Sequence, residues 1–427
     1  MTKVQPSVHI VGAGLAGLAC AVRLAQAGLK PALYEAADHA GGRCRSYFDP
    51  ALDRLIDNGN HLVLSGNVAV QGYLADIGAT DELLIAPEPA IPFIDLRTGQ
   101  RWTLRPNQGR FPWWLFLKDR RVPDSRVYEY LAALKLALAG PETRIAECFD
   151  AKKPLYERFW EPLTIAILNT SPQTAAARLL WPVMALLFGK GGKAALPCQP
   201  REGLSQTFID PALAWLAARD CPAPSFYTRL KAVERTNDQV KGLDFASQRI
   251  NIPTDGKVVL ALPPAGISGL LPEITTPEKS CAIVNAHFRL QTPCALPDDA
   301  YLLGLVGATS QWLFLRGDIA SVTISAADDL ATESAEIIAG KIWPEIATAL
   351  GLTAGTPLPP FRIVKEKRAT FAQTPASLSR RPGTRTRFTN LYLAGDWTDT
   401  GLPATIEGAI LSGHKAAAAI LKDIGKG

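Results

Sequence analysis

The sequence predicts an α/β fold with a Rossmann-like dinucleotide-binding layer, on three observations. A short apolar run at 8–11 breaks at Gly12-x-Gly14-x-x-Gly17 and continues as a helical pattern. A second apolar run at 31–34 ends in Glu35, 23 residues after Gly12. Far along the chain, apolar runs at 255–263 and 391–396 have the character of buried strands, and the second leads into a helix.

Each element of the opening unit has a physical reason. Gly12 lets the chain turn sharply after the strand, and Gly14 lets a pyrophosphate approach the backbone. Gly17 lets the helix pack close to the sheet. The helix carries Leu15, Leu18, Val22 and Ala25 on one face and stops at Gly28. Its first amides, at Leu15 and Ala16, add their dipole to a phosphate site. Glu35 stands where a carboxylate accepts from a ribose 2′-OH. The competing reading is a glycine-rich turn without a ligand. After Glu35 and Ala36, Gly41-Gly42-Arg43 offers a second backbone approach and a cation. Arg43 serves a phosphate or cofactor there, or is a surface loop arginine. Asp57-Asn58-Gly59-Asn60-His61 then sets a glycine turn among polar side chains ahead of an apolar run at 62–64.

Residues 66–200 show no βαβ rhythm. Between Arg97 and Arg126 stand eight Lys and Arg against Asp119 and Asp124. In their midst lies Phe111-Pro112-Trp113-Trp114-Leu115-Phe116-Leu117, too short to span a bilayer. Clustered aromatics flanked by cations suit a membrane interface, which marks 110–121 as a docking segment. The alternative is a hydrophobic hairpin packed on its own domain; nucleic acid is disfavoured because the aromatics do not interleave with the cations. An amphipathic helix is expected at 128–138, with Leu131, Leu134 and Leu138 as its apolar face. With the apolar segments 160–169 and 179–188, it either lines a channel or forms core.

From Gly203 the nucleotide fold resumes, with a helix at 204–219 and strands at 225–233, 240–245 and 255–263. Strand-like runs at 282–290, 312–315 and 321–325 and a helix at 333–350 suit the sheet of a second domain. The last helix, from Ala404, shows Ile406, Ile410, Gly413, Ala417 and Leu421 on one face.

With 427 residues, 47% of them hydrophobic, the chain can bury two or three cores. No signal-peptide pattern precedes the first strand, and no uncharged apolar stretch reaches 18 residues. The seven cysteines are scattered, with no CxxC and no metal spacing. These features predict reduced thiols in the cytoplasm and no metal. A net charge of +5 does not by itself imply nucleic acid.

The head, the strand ending Ala261-Leu262-Pro263 and the tail together resemble the flavin-dependent amine oxidase and phytoene desaturase superfamily. The resemblance implies FAD. Gly12, Gly14, Leu15, Ala16, Gly17, Glu35 and Ala36 would hold its ADP half, with Gly42, Arg43 and Ala261 nearby and an adenine contact near Val233. Gly395 and Asp396 would meet the ribityl-pyrophosphate part. Thr405 and Ile406 would cap the flavin ring, and Gly59, Asn60 and His61 would lie close to it. Three segments resemble the squalene-associated branch, the hydroxysqualene dehydroxylases: 57–61, Trp160-Glu161-Pro162-Leu163 with Leu168-Asn169-Thr170, and 394–409. Asn60 departs from that branch, where glutamine is expected.

The implied organisation is a discontinuous FAD domain (1–65, 200–265 and 386–427) and a mixed α+β substrate domain (66–199 and 266–385). The implied activity is reductive removal of an allylic hydroxyl from hydroxysqualene, a C30 isoprenoid, giving squalene for hopanoid synthesis. The implied location is the cytoplasm, peripheral on the inner face of the membrane. A single nucleotide fingerprint leaves the electron donor unnamed. The rival readings are an oxidising carotenoid desaturase or amine oxidase, and a prenyl-lipid carrier without flavin chemistry. Loss of the hydroxyl needs a proton. Asp399 and His61 lead as donors, ahead of Asp57 and Glu407, against structural roles as turn former, cofactor packing or helix-entry hydrogen bonding.

Overall fold

The computed structural model describes residues 6–425. Its nucleotide-binding layer is a four-stranded sheet of β1 (Val8–Val11), β2 (Ala32–Tyr34), β3 (Lys257–Leu260) and β4 (Leu391–Leu393). The order is β4-β3-β1-β2, and every pairing is parallel. Parallel strands are covered on both faces and so read as unbroken apolar runs. Val8, Ile10, Leu33, Val259 and Tyr392 point to one face, against α1 (Leu15–Gln26) and the tail helix, here α3 (Ile406–Asp423). Val11, Tyr34, Val258, Leu260, Leu391 and Leu393 point to the other, against Val233, Val240 and Leu243 of an antiparallel three-stranded sheet.

Helix α1 packs so close to both the turn and α3 that only glycine fits. A Cβ on Gly17 would lie 1.9 Å from the Gly12 carbonyl oxygen, and one on Gly413 would lie 2.2 Å from that of Ala16. Gly12 itself has φ +106°, and a Cβ there would meet the Ala261 oxygen at 2.4 Å. Helix α3 is started by Thr405, whose hydroxyl accepts from the Gly408 amide at 3.1 Å.

The second sheet has seven strands, in the order Phe361–Phe371, Ser280–Arg289, Ile319–Ile324, Trp312–Arg316, Leu302–Val306, Ile91–Asp95 and Arg101–Leu104. Alternation sorts the long strand at 280–289. Ala282, Val284, Ala286 and Phe288 pack under helix Ala335–Ala349, through Ile338, Ile342 and Ile346. Asn285 and His287 therefore face the other way, toward the nucleotide layer. The pair Ile91–Asp95 and Arg101–Leu104 was not foreseen: each run is short, and Pro92 interrupts the first. The strand expected at 225–233 is Leu230–Arg235, while 225–228 runs beside β2, where Ser225 donates its amide to Leu33 and accepts from Glu35, both at 2.9 Å.

A helical module fills 113–189, with Trp114, Tyr130, Phe159, Trp160, Leu180 and Met184 in one core cluster. Here one expectation fails. The segment 127–138 is helical in short turns, but it buries Tyr130, Ala133 and Leu136 and exposes Leu131, Leu134 and Leu138. Both faces of this helix are apolar, so periodicity shows that a helix forms without showing which face the core takes. Among the described residues no helix is long and apolar enough to cross a membrane.

Candidate active site

The glycine turn is stitched to both loops beside it. The Gly12 amide donates to the Tyr34 carbonyl at 2.7 Å, and the Gly41 amide to that of Ala13 at 2.9 Å. The Gly41–Arg43 loop is thereby laid alongside the turn and the start of α1. The Glu35 carboxylate takes the Ala13 amide at 2.9 Å and the Ala37 amide at 3.0 Å, which places the acid directly beside the turn. Ala261 closes the far side, its amide donating to Val11 at 2.8 Å. Gly14 is the open position: a Cβ there would have only the Gly41 oxygen within 4 Å, at 3.9 Å. The structure thus brings Gly12, Gly14, Leu15, Ala16, Gly17, Glu35, Ala36, Gly42 and Ala261 together around one glycine turn. Val233 stands apart, with its side chain buried among Tyr34, Leu243 and Phe245.

The tail returns to this turn. Gly395 has φ +145°, and its amide donates to the Ser412 hydroxyl of α3 at 2.8 Å. Arg43 donates to the buried Asp396 carboxylate at 2.8 Å and also to the Ala369 carbonyl. Arg43, which the sequence offers to a phosphate or cofactor, therefore joins the turn, the tail and the edge strand of the second sheet. Beneath the loop lies Arg381, which the sequence reading missed. Its buried guanidinium donates to the carbonyls of Asp396, Trp397, Thr398 and Leu402. Several acceptors on one buried cation hold the 396–402 loop in a single shape. Gln373, also missed, donates to Leu168 at 2.7 Å and accepts the Ala404 amide at 2.9 Å, which ties the Leu168-Asn169-Thr170 motif to the entry of α3.

The turn at 57–61 meets the polar face of the second sheet. Asn60 donates to Thr323 at 3.1 Å, Thr323 to Asn285 at 2.8 Å, and Asn285 to the Asn58 carbonyl at 3.3 Å. A Cβ on Gly59 would lie 3.0 Å from the Asn285 amide nitrogen, so the turn lies flat on the strand. Asp57, Asn60, His61, Phe314, Arg316 and Ser321 share a cavity of about 30 Å³, the room of one water or hydroxyl. A lone polar pair in an apolar strand, Asn285 and His287, was the available signal for this face.

The four candidate acids fare differently from the expectation. Asp399 is exposed, and its carboxylate accepts the Gly401 amide at 3.3 Å. Asp399 thus serves a surface turn, a structural role, rather than a buried site. Burial lowers the His61 pKa, with Asp57 opposing and Arg43 assisting, so its ring is neutral near pH 7 and a poor proton source. Asp57 accepts from Ser46 at 2.6 Å, Leu204 at 2.9 Å and Arg316 at 2.8 Å, so its oxygens are already engaged in joining three segments. Burial raises Glu407, but its oxygens take the amides of Ala69 at 3.0 Å and Val70 at 2.9 Å. It caps helix α2 (Val68–Ile77), a helix-entry role on a neighbouring helix rather than its own.

His287 accounts for a pH dependence. Burial pushes it down to about 4, with Asp57 opposing and Arg316 assisting. The unfolded chain takes that proton near 6.5. Between these values the unfolded state binds more protons, so stability falls as pH drops from about 6.5 to about 4. Denaturant midpoints of the wild type should decline over that range, and His287→Gln should flatten the decline. Equal slopes in both proteins would exclude His287 as its source.

Comparison with known proteins places this geometry. The family model described as flavin containing amine oxidoreductase matches residues 15–421. The chain is similar to the hydroxysqualene dehydroxylase of Rhodopseudomonas palustris, at 45% identity over 97% of this chain and 98% of that protein. It is 24% identical to the zeta-carotene desaturase of Synechocystis sp., over 97% of each chain. The solved structure of cyclohexylamine oxidase from Brevibacterium oxydans shares the fold, with a TM-score of 0.71 at 16% identity over 99% of this chain and 100% of that one. The chain belongs to the flavin containing amine oxidoreductases and, within them, to the hydroxysqualene dehydroxylases.

Proposed function

We propose that the chain uses FAD to remove the hydroxyl of hydroxysqualene reductively, releasing squalene and water for hopanoid synthesis. The carrying observation is the likeness to the Rhodopseudomonas palustris enzyme, 45% identical nearly end to end, against 24% for the carotenoid desaturase. The residues fit a dinucleotide flavin. Gly14 leaves the backbone open, the start of α1 offers amides, Glu35 stands at the end of β2, and Asp396 closes the far end of the cleft. The domain division expected from the sequence is part of this proposal.

The chemistry supplied by a bound, reduced flavin is hydride donation to the carbon that loses its oxygen. The chain's own residues must orient the lipid, keep water out and help the hydroxyl depart as water. None of the four expected carboxyl and imidazole groups offers a ready proton. Hydrogen-bond donors do line the small cavity beside Asp57: the Asn60 amide, the Arg316 guanidinium and the Ser321 hydroxyl. In this account they stabilise the departing oxygen, a solvent proton delivered through that one-water cavity completes the leaving water, and the allylic carbon's own ease of ionisation lowers the barrier. Incubation with hydroxysqualene under dithionite, followed by mass analysis of the lipid, should show squalene. A more conjugated polyene would select the desaturase reading, and an unchanged lipid with a colourless protein would select the carrier.

FAD is held without a covalent bond, so boiling should release it. A charge-assisted hydrogen bond contributes about 1.5–3 kcal/mol, so Asp396→Ala should weaken FAD binding roughly ten- to a hundredfold. Unchanged flavin occupancy in that variant would reduce Asp396 to the partner of Arg43.

The substrate is a C30 isoprenoid alcohol that partitions into membranes, and we assign the docking surface to 110–121 extended by the helix after it. Phe111, Trp113, Phe116, Leu131, Leu134 and Leu138 are exposed on adjoining elements, Leu138 at 88%. The two elements are joined by Trp114 and Tyr130, buried edge to face at 5.8 Å. The cations Arg110 and Lys118 stand exposed beside them. These features support a peripheral position on the inner face of the cell membrane. Trp113→Glu with Phe116→Glu should release the enzyme from anionic vesicles and leave its flavin spectrum intact. Trp114 is core and unsuited to the test. Equal sedimentation of variant and wild type would contradict the assignment.

A further inference from the structure

Beside the exposed apolar surface lies a cavity of about 410 Å³, walled by Glu88, Arg105, Asn107, Gly109, Trp113 and Arg120. We propose that it receives the phosphate headgroup of one anionic phospholipid and so fixes how the protein sits on the membrane. The proposal rests on the docking reading above and adds to it a discrete site.

The cavity wall is built and held. Asn107 donates to the carbonyls of Gly109 and Phe111, each at 3.0 Å, and accepts the Trp114 amide at 3.3 Å, which folds 107–114 around its own side chain. The loop rests on Gly191 and Gly192: the Gly192 amide donates to Asn107 at 3.0 Å, and a Cβ on Gly192 would lie 2.5 Å from the same oxygen. Neither glycine can gain a side chain without displacing the wall.

The charges within it are unequal in their freedom. Arg105 is bonded to Asp298 at 2.5 Å and faces Glu88 at 3.8 Å, so its charge is answered. Arg120 is half-buried, with its guanidinium over the Trp113 ring at 5.1 Å. Among the described residues no carboxylate or carbonyl takes a hydrogen bond from that guanidinium. A partly desolvated cation beside an aromatic ring keeps its donor fork for an anion, and that fork matches two phosphate oxygens. Trp113 lines this cavity and is also exposed with the apolar surface, so a lipid whose headgroup meets Arg120 would lay its acyl chains beside Phe111 and Phe116.

The test compares sedimentation with vesicles of phosphatidylcholine alone and of phosphatidylcholine containing phosphatidylglycerol. Lys118 is an exposed cation two residues from Arg120 that does not line the cavity, and it serves as the control for diffuse charge. A lone cation near an anionic surface contributes about 1 kcal/mol, so Lys118→Gln should lose about fivefold in binding to the anionic vesicles. A bidentate phosphate contact contributes more, so Arg120→Gln should lose roughly ten- to a hundredfold, and Arg120→Lys should recover only part of it. The wild type should also bind soluble dihexanoyl phosphatidylglycerol below its micellar concentration, and Arg120→Gln should not. Flavin spectra and melting temperatures should stay those of the wild type. Equal losses for Arg120→Gln and Lys118→Gln, with no binding of the short-chain lipid, would overturn the headgroup site and leave membrane docking standing. A wild type that sediments with neither vesicle would overturn the docking reading as well.

Discussion

The structure depends on one steric constraint: helix α1 must lie against the turn that precedes it and against the last helix of the chain, closer than any side chain permits. Gly17 rests on the Gly12 carbonyl, Gly12 on Ala261, and Gly413 on the Ala16 carbonyl. These contacts draw on segments near residues 12, 261 and 413, so the cleft exists only when the beginning, middle and end of the chain have assembled. A methyl group at any of the three would force backbone apart in a packed interior, at a cost of about 1–3 kcal/mol or more. The same closeness sets the start of α1 beside the Gly41–Arg43 loop, whose Gly41 amide bonds to Ala13.

Between the two layers the polar groups are largely spent on each other. Arg43 joins Asp396, Arg316 joins Asp57, Arg381 gathers the carbonyls of the 396–402 loop, and Asn60, Thr323, Asn285 and Asn58 form a chain. A protein that handles a reactive carbocation benefits from this, because a satisfied carboxylate is a weaker trap than a free one and fixed donors need no reorganisation. Asp57 shows the pattern: its carboxylate oxygens accept from the Ser46 hydroxyl, the Leu204 amide and the Arg316 guanidinium.

Much of this was legible in the sequence wherever local chemistry dictates structure. The strand, glycine turn and helix, Glu35 beside the turn, and the strand, loop and helix of the tail lie where spacing places them, and Gly28 ends α1 with φ +82°. Three kinds of feature were not legible. Leu131, Leu134 and Leu138 have helical spacing, but so does the opposite apolar face, and only tertiary packing on Trp114 decides between them. Asp399 occupies a suggestive motif, but burial is a property of the assembled fold, and there it is exposed. Arg381, Gln373 and Asn285 act through partners in other segments, in pairings as distant as Asn285 with Asn58. A single sequence carries little sign of such contacts beyond a polar residue in an apolar run.

The direction of electron flow is the centre of the account. Desaturation and dehydroxylation can share this fold and cofactor cleft, but they move the hydride in opposite senses. The most direct measurement is a single turnover in the absence of oxygen. Protein whose flavin has been reduced in advance is mixed with hydroxysqualene while the flavin absorbance is followed. The account predicts that the oxidised flavin band returns in proportion to the squalene formed. A flavin that stays reduced with hydroxysqualene, yet loses its colour when the oxidised protein meets the lipid, would contradict it.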